Sequence, residues 1–324
     1  MSEFSLIEKY FSDIGQKRQD VLLSVGDDAA IVDVENLKQL AISVDTLIAG
    51  VHFPENTSAY DIGWKSLAVN LSDMAAMGAQ PCWVTLAIAL PKPEQRWLEQ
   101  FSQGFSELAK KNNVQLIGGD TTRGTLSVTV QIIGHVESEQ ILKRSNAKVG
   151  DRIFVTGNLG DAGLALQSYL KNISLSESDH ENVYARLNRP EPRVAFALAQ
   201  KHLINAAIDI SDGLYADLAH ILKASSVGAD IQFDQIPLSE TYQKYLVDHK
   251  PYDLALAGGD DYELCVTVPE CHVEEFRANA KLTDCKCTEI GSIVEGDKLS
   301  FWDKFGNNYT LQSQAYDHFP KDKR

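Results

Sequence analysis

The chain has no apolar run approaching the ~18 residues that a membrane-spanning helix needs. Its first residues, Met1-Ser2-Glu3-Phe4-Ser5, lack the basic-then-apolar pattern of a secretion signal. The expectation is a cytoplasmic protein with no membrane partner. Basic residues are in short supply: 30 Lys and Arg against 45 Asp and Glu, a formal net charge of -15. That balance argues against nucleic acid or an anionic membrane as partner. It leaves phosphorylated substrates open, because bound cations reverse the local field. Cysteine is scarce and odd in number, five in 324 residues, which does not make a disulfide framework. Cys271, Cys285 and Cys287 do not read as a zinc site, since Cys-Lys-Cys is not the usual ligand spacing and no fourth cysteine completes the set. Reduced, half-buried thiols are the expectation.

The familiar phosphate-binding signatures are missing as well. There is no Gly-x-x-x-x-Gly-Lys-Ser/Thr, so this is not a P-loop protein, and the Gly-rich loop and His-Arg-Asp of the protein kinases are absent. No Ser-His or Cys-His nucleophile pair is evident. The apolar content of 44% and charged content of 23% are those of an ordinary folded chain, and the length favours two domains.

What the chain has is aspartate where apolar runs end. Gly26-Asp27-Asp28 follows Val21-Leu22-Leu23, and Asp45 follows Leu40-Ala41-Ile42-Ser43-Val44. Asp73 follows Leu67-Ala68-Val69-Asn70-Leu71-Ser72, Gly119-Asp120 follows Val114-Gln115-Leu116-Ile117, and Asp209 and Asp212 follow Ile204-Asn205-Ala206-Ala207-Ile208. Carboxylates at strand exits that meet in one place make a cage of oxygen ligands for hard cations, chiefly Mg2+. Clustered carboxylates repel one another unless a cation neutralises them, so a converging set implies metal, and more than one ion. Each segment alone has a plainer reading, because Asp also caps helices and starts turns. Asp212 before Leu214 and Asp61 before Trp64 are such caps in waiting.

The apolar spacing predicts helices over 4–11, 60–77, 94–113, 162–170, 194–202 and 214–224. In the second of these Trp64, Leu67, Ala68, Leu71 and Ala75 share one face, which puts Asp73 in a helix rather than at a strand end. Trp97, Phe101, Phe105 and Leu108 line one face of the third and read as core. Strands are expected over 84–90, 114–118, 126–136, 152–156, 206–210, 264–268, 289–294 and 299–302. The polar stretch 171–186 reads as a mobile surface loop. Gly157-Asn158-Leu159-Gly160 ahead of a helix either presents backbone N–H groups to an anion or is an ordinary strand–helix turn. Arg123 and Arg144 are candidate phosphate clamps or solvated surface arginines. His52, one short turn after Asp45, reads first as a turn residue. Mixed strands and helices in both halves give an α/β or α+β fold, with Ala147-Lys148-Val149-Gly150-Asp151 as the break.

Taken in order, the motifs resemble the thiamine-monophosphate kinase family. They are Ser24-Val25-Gly26-Asp27-Asp28-Ala29-Ala30, Ser43-Val44-Asp45-Thr46-Leu47, Asn70-Leu71-Ser72-Asp73-Met74-Ala75-Ala76-Met77-Gly78-Ala79 and Gly118-Gly119-Asp120-Thr121-Thr122. Asp209-Ile210-Ser211-Asp212-Gly213-Leu214 and Gly258-Gly259-Asp260-Asp261-Tyr262-Glu263-Leu264 continue the series. The third motif alone indicates the wider superfamily that includes aminoimidazole ribonucleotide synthetase. The resemblance implies a two-domain, PurM-like α/β (α+β) architecture. Residues 1–147 would form an ATP- and metal-binding dimerisation domain and 148–324 a C-terminal α/β domain. The N-terminal domains of two chains would share a β-barrel in a homodimer.

The resemblance also implies ATP-dependent phosphorylation of thiamine monophosphate to thiamine diphosphate. Mg2+ would be held by Asp28, Ser43, Val44, Asp45, Asp73, Asp120, Asp209 and Asp212, with Val44 contributing its carbonyl. Gly119, Asp120, Arg144 and Ser211 would contact ATP, and His52, Asp260 and Tyr316 the thiamine substrate. Two positions depart from the family: Asp260 stands where Glu is usual, one methylene shorter, and Val44 where Thr is frequent. The alternatives are another ATP-using synthetase of the superfamily, a metal-dependent phosphatase, or a non-catalytic Mg-nucleotide-binding protein.

Overall fold

A computed structural model describes residues 3–25, 30–34, 38–245, 252–283 and 285–309. These fall into two units, one within Met1–Ile141 plus Asn188–Val194 and one within Leu142–Leu187 plus Ala195–Arg324. The first runs α1 (Glu3–Tyr10), β1 (Val21–Leu23), β2 (Ile31–Val32), β3 (Lys38–Ile48), α2 (Ala59–Ala76), β4 (Gln80–Leu90), α3 (Gln95–Lys111), β5 (Gln115–Arg123) and β6 (Ser127–Glu137). Its long strands make one sheet in the order β3-β6-β4-β5, antiparallel except for the β4–β5 pair.

Helix α2 begins where Ser58 accepts the Asp61 amide, 3.1 Å. The cap is therefore Ser58, and Asp61 is its client. From there α2 is buried almost all round, because it lies between the sheet and α3. The two helices approach closely at paired glycines. A Cβ on Gly63 would sit 2.2 Å from the Phe101 carbonyl oxygen, and one on Gly104 2.1 Å from that of Tyr60. Phe101, Phe105 and Leu108 are core, as their spacing predicts. The stretch Asn188–Val194 returns to this unit, where the Trp64 indole donates to the Pro190 carbonyl, 2.9 Å.

The opposite face of β3 is open. Side chains alternate along a strand, and Leu40, Ile42, Val44 and Ile48 are 44%, 58%, 57% and 37% exposed. A row of aliphatic side chains in water is what a further protein surface covers.

The second unit runs β7 (Arg152–Thr156), α4 (Asp161–Tyr169), α5 (Glu177–Asn188), α6 (Val194–Gln200), β8 (Ala206–Ile210), α7 (Leu214–Ser225) and β9 (Gly228–Gln232). It continues with α8 (Glu240–Lys244), α9 (Asp253–Ala257), β10 (Glu263–Val268), α10 (Val273–Ala280), β11 (Cys287–Val294), β12 (Leu299–Trp302) and β13 (Asn308–Tyr309). The sheet order is β13-β12-β9-β11-β7-β10-β8. Its core includes Ile153, Val155, Ile208, Ile210, Leu218, Ile221, Ile290 and Ile293.

Helix α5 corrects the loop expected over 171–186. Its composition is polar, but Val183 and Leu187, four apart, bury one narrow stripe. Asp179 then ties it to α8 and the residue after it, accepting from Lys244 at 2.8 Å and from the Tyr245 hydroxyl at 3.0 Å.

Candidate functional site

Three candidate aspartates of the first unit lie inside elements, not at their exits. Asp45 is within β3, Asp120 within β5 and Asp73 in the last turn of α2. The pairing register sorts them by face. Asp45 pairs with Val130, and Ser43 with Ile132, on the side against which α2 lies. There the Ser43 hydroxyl donates to Asp73 Oδ2, 2.5 Å. Asp120 instead registers with Ala87, which registers with Thr129, which registers with Thr46. That row belongs to the open face, where the Thr46 and Thr129 hydroxyls are 2.9 Å apart. Ser43, Asp45 and Asp73 are thus brought together on one face, and the register sets Asp120 on the other. The neighbouring Gly119 shares the row of Asp45 and Val130.

Asp73 is poorly placed for helix stability. A carboxylate in the last turn faces the negative end of the helix dipole, and the Asp73 carbonyl already receives the Met77 amide, 3.1 Å. A residue kept against local preference points to a use beyond packing. Carboxylates with a hydroxyl are the hard oxygen donors that Mg2+ takes, so the donor chemistry of Ser43, Asp45 and Asp73 fits that ion. Among the described residues no group of three or more His, Cys, Asp or Glu gathers to hold a metal by itself. Asp28 lies outside the described residues, as does Tyr316.

In the second unit Asp209 is within β8, 5% exposed, and Ser211 and Asp212 form the turn that follows. Asp212 does not cap α7. The amides of Ser211 and Asp212 both donate to Asp217 Oδ2, 3.0 Å each, one turn into the helix. Burial pushes the Asp217 carboxyl up to about 7, and the nearby charges of Asp209 and Asp212 push the same way. Gly213 permits the tight passage, with φ 108° and space for a Cβ closed by Ala257 at 2.9 Å.

Asp260 is tied to this turn: its amide donates to the Ser211 carbonyl, 2.9 Å, and the Tyr262 amide to that of Ile210, 2.8 Å. Ser211, Asp212 and Asp260 are therefore neighbours. Asp260 and Tyr262 both carry left-handed backbone, φ 70° and 48°. Arg144 sits in an exposed turn over 144–146, its carbonyl accepting from Ser225 Oγ, 2.8 Å.

The turn Gly157-Asn158-Leu159-Gly160 is a strand–helix turn and no anion cradle. The Gly157 amide donates to the Lys286 carbonyl at 2.8 Å and that of Leu159 to Pro237 at 2.9 Å. The Gly160 amide is taken by both oxygens of Asp261, at 3.0 and 2.9 Å. Amides spent on the protein's own acceptors leave little for a phosphate.

Several residues of this network escaped the sequence reading. Asp261 is buried and its carboxyl is held well above the usual carboxylate range by that burial. Glu263, fully buried, accepts from Arg186 at 2.5 Å and from the Thr156 hydroxyl at 2.7 Å. Asp161 is pushed up by burial and accepts from Ser239, 2.6 Å. Asp261 and Glu263 stood in a quoted motif but carried no sign of facing inward. Arg186 had no signal, lying in a stretch read as loop.

Residues 26–136 match the family model "AIR synthase related protein, N-terminal domain", and residues 148–304 match "AIR synthase related protein, C-terminal domain". A thiamine-monophosphate kinase from Escherichia coli is 44% identical over 320 residues, 98% of each chain. The crystal structure of a thiamine-monophosphate kinase from Stenotrophomonas maltophilia superposes with a TM-score of 0.84 at 45% identity, covering 88% of this chain and 92% of that one. The structure "AaThiL complexed with AMPPCP and TMP" superposes with a TM-score of 0.77 at 30% identity, covering 91% and 92%.

Proposed function

The chain belongs to the thiamine-monophosphate kinase family, and we propose that it transfers the γ-phosphoryl group of ATP to thiamine monophosphate, giving thiamine diphosphate and ADP, in one direct, in-line step. The end-to-end match to kinases at 44% identity carries this reading. A relative that binds AMPPCP and TMP together supports it.

The acceptor chemistry agrees. A phosphate monoester has a second pKa of about 6, so at neutral pH the nucleophile is already mostly dianionic and needs no base. The barrier lies in bringing two polyanions into line, which positioning and charge neutralisation address. Mg2+, when bound, would neutralise phosphate charge. Its proposed holders are Ser43, Asp45 and Asp73 on one face of the sheet, with Asp28, the Val44 carbonyl, Asp209 and Asp212, and Asp120 on the other face toward a separate ion. Gly119, Asp120, Arg144 and Ser211 are assigned to ATP. His52, Asp260 and Tyr316 are assigned to the thiamine substrate, with the Ser211 tie holding Asp260 in place. The exposed aliphatic row of β3 supports a homodimer that covers it. The working place is the cytoplasm; among the described residues no helix is long and apolar enough to cross a membrane.

The test is incubation with Mg-ATP and thiamine monophosphate. Stoichiometric thiamine diphosphate and ADP are expected. ADP without an acceptor would make the protein an ATPase, and tight ATP binding without turnover a binding module. A radiolabelled phosphoenzyme trapped in a single turnover would overturn the direct step.

A further inference from the structure

Lys65 is the one Lys, Arg, Asp or Glu of the first unit's described residues that is buried, 1% exposed, in the middle of α2. Lysine is almost never buried so completely unless its ammonium has a polar task. Its Nζ donates to the carbonyl oxygen of His52, 3.2 Å, in the turn that follows β3. That turn is closed on itself: the amides of Val51 and His52 donate to Ile48 at 3.1 and 3.0 Å, and that of Gly50 to Phe53 at 2.9 Å. Phe53, 3% exposed, pins its far side.

The imidazole is fixed by a bond that also determines its proton. The Ile48 amide donates to His52 Nδ1, 3.1 Å. A backbone N–H can only donate, so Nδ1 must offer its lone pair, and the neutral ring carries its one hydrogen on Nε2. Toward its own chain the ring is an acceptor, and toward a ligand it is a donor.

We propose that Lys65 is a positioning residue for this reaction: by holding the His52 carbonyl it keeps the turn closed and the ring in the Nε2–H form, which donates to an acceptor atom of the phosphorylated substrate. The last clause rests on the kinase reading. The tautomer and the role of Lys65 in the turn do not. The physical cause is ordinary. A charge-assisted hydrogen bond to a carbonyl is stronger than a neutral one, and a turn carbonyl held from the helix beneath leaves the ring little freedom.

The full chain with isotope-labelled histidine tests this by long-range nitrogen–proton NMR at neutral pH, the His52 signals being those lost in His52→Gln. The expected pattern is a protonated Nε2 and a bare Nδ1. A protonated Nδ1, or a doubly protonated ring, overturns the proposal. In kinetics His52→Gln, whose amide nitrogen falls near Nε2, should keep more affinity for thiamine monophosphate than His52→Asn, whose group falls near Nδ1; the reverse order counts against it. Lys65→Met should raise KM for thiamine monophosphate about tenfold, the scale of one charged hydrogen bond, with kcat and the KM for ATP little changed and the His52 signals shifted. Equal rises in both KM values, or none, would reduce Lys65 to a packing residue. If Lys65→Met fails to fold, Lys65→Gln, which keeps a neutral donor of shorter reach, takes its place, with a rise in KM for thiamine monophosphate and shifted His52 signals expected; the absence of both changes counts against the role of Lys65. If the wild type makes no thiamine diphosphate, the kinase reading fails while the spectrum continues to judge the tautomer.

Discussion

The two units treat their acids in opposite ways. In the first, Asp45, Asp73 and Asp120 are part-exposed or exposed, and no Asp or Glu among the described residues is buried. In the second, Asp151, Asp161, Asp179, Asp209, Asp217, Asp253, Asp261 and Glu263 are all buried. Apart from Asp209, a proposed cation holder, the buried ones are consumed internally. Asp261 holds the Gly160 amide, Asp217 those of Ser211 and Asp212, and Asp151 the amide of Lys148 and the side chain of Asn205. Aspartate is therefore the same letter with two uses. Where it reaches solvent it can receive a cation. Where it is dry, Asp209 apart, its lone pairs are taken by the protein's own backbone and side-chain donors, which would otherwise be unsatisfied.

The contrast can be tested residue by residue. Asp73→Asn should lower kcat by about two orders of magnitude or more, with unchanged circular dichroism, because it removes a proposed cation ligand. Unchanged activity at saturating Mg2+ would move Asp73 to the internal class. Ile42→Arg, on the open face of β3, should convert a dimer to a monomer in light scattering; a dimer that persists would mean that another surface pairs.

In the second unit the effects fall on stability. Arg186→Met withdraws the cation from the buried Glu263 carboxylate and should cost about 3 kcal/mol in denaturant unfolding. Loss of activity without loss of stability would give Glu263 a ligand role instead. A pH dependence is expected at Asp217. Its folded value of about 7 lies above the ordinary 3.8, so between those values the folded chain binds more protons than the unfolded one. Without added divalent cation, this group's contribution is fully present below about 4 and is lost as pH rises toward about 7. Asp217→Asn should lack that loss, so the variant gains on the wild type across the window and no further above it. Parallel stability curves would show that Asp217 is ionised throughout.

Much of this was readable in advance. The 3.6-residue spacing in α2 and α3 located both helices and their core faces, and strands Arg152–Thr156, Ala206–Ile210 and Leu299–Trp302 have the expected bounds. These are local matters of spacing and burial. Other features were not readable for equally physical reasons. β3 and β5 run on through Asp45 and Asp120 because strand pairing tolerates a charged side chain that keeps part of its surface in solvent. Helix α5 was hidden because a helix needs only a narrow apolar stripe when its acids find partners elsewhere in the chain.

Composition and motif order were enough to exclude a disulfide framework and a P-loop and to point to the family and its aspartates. Those properties belong to individual residues and their spacing. Which aspartates share a face, which amides are already satisfied at Gly157–Gly160, and which nitrogen of His52 holds the proton were settled by packing. Each depends on a partner far away in the chain or on the opposite strand, and the pairing of distant groups is set by register and burial rather than by local sequence.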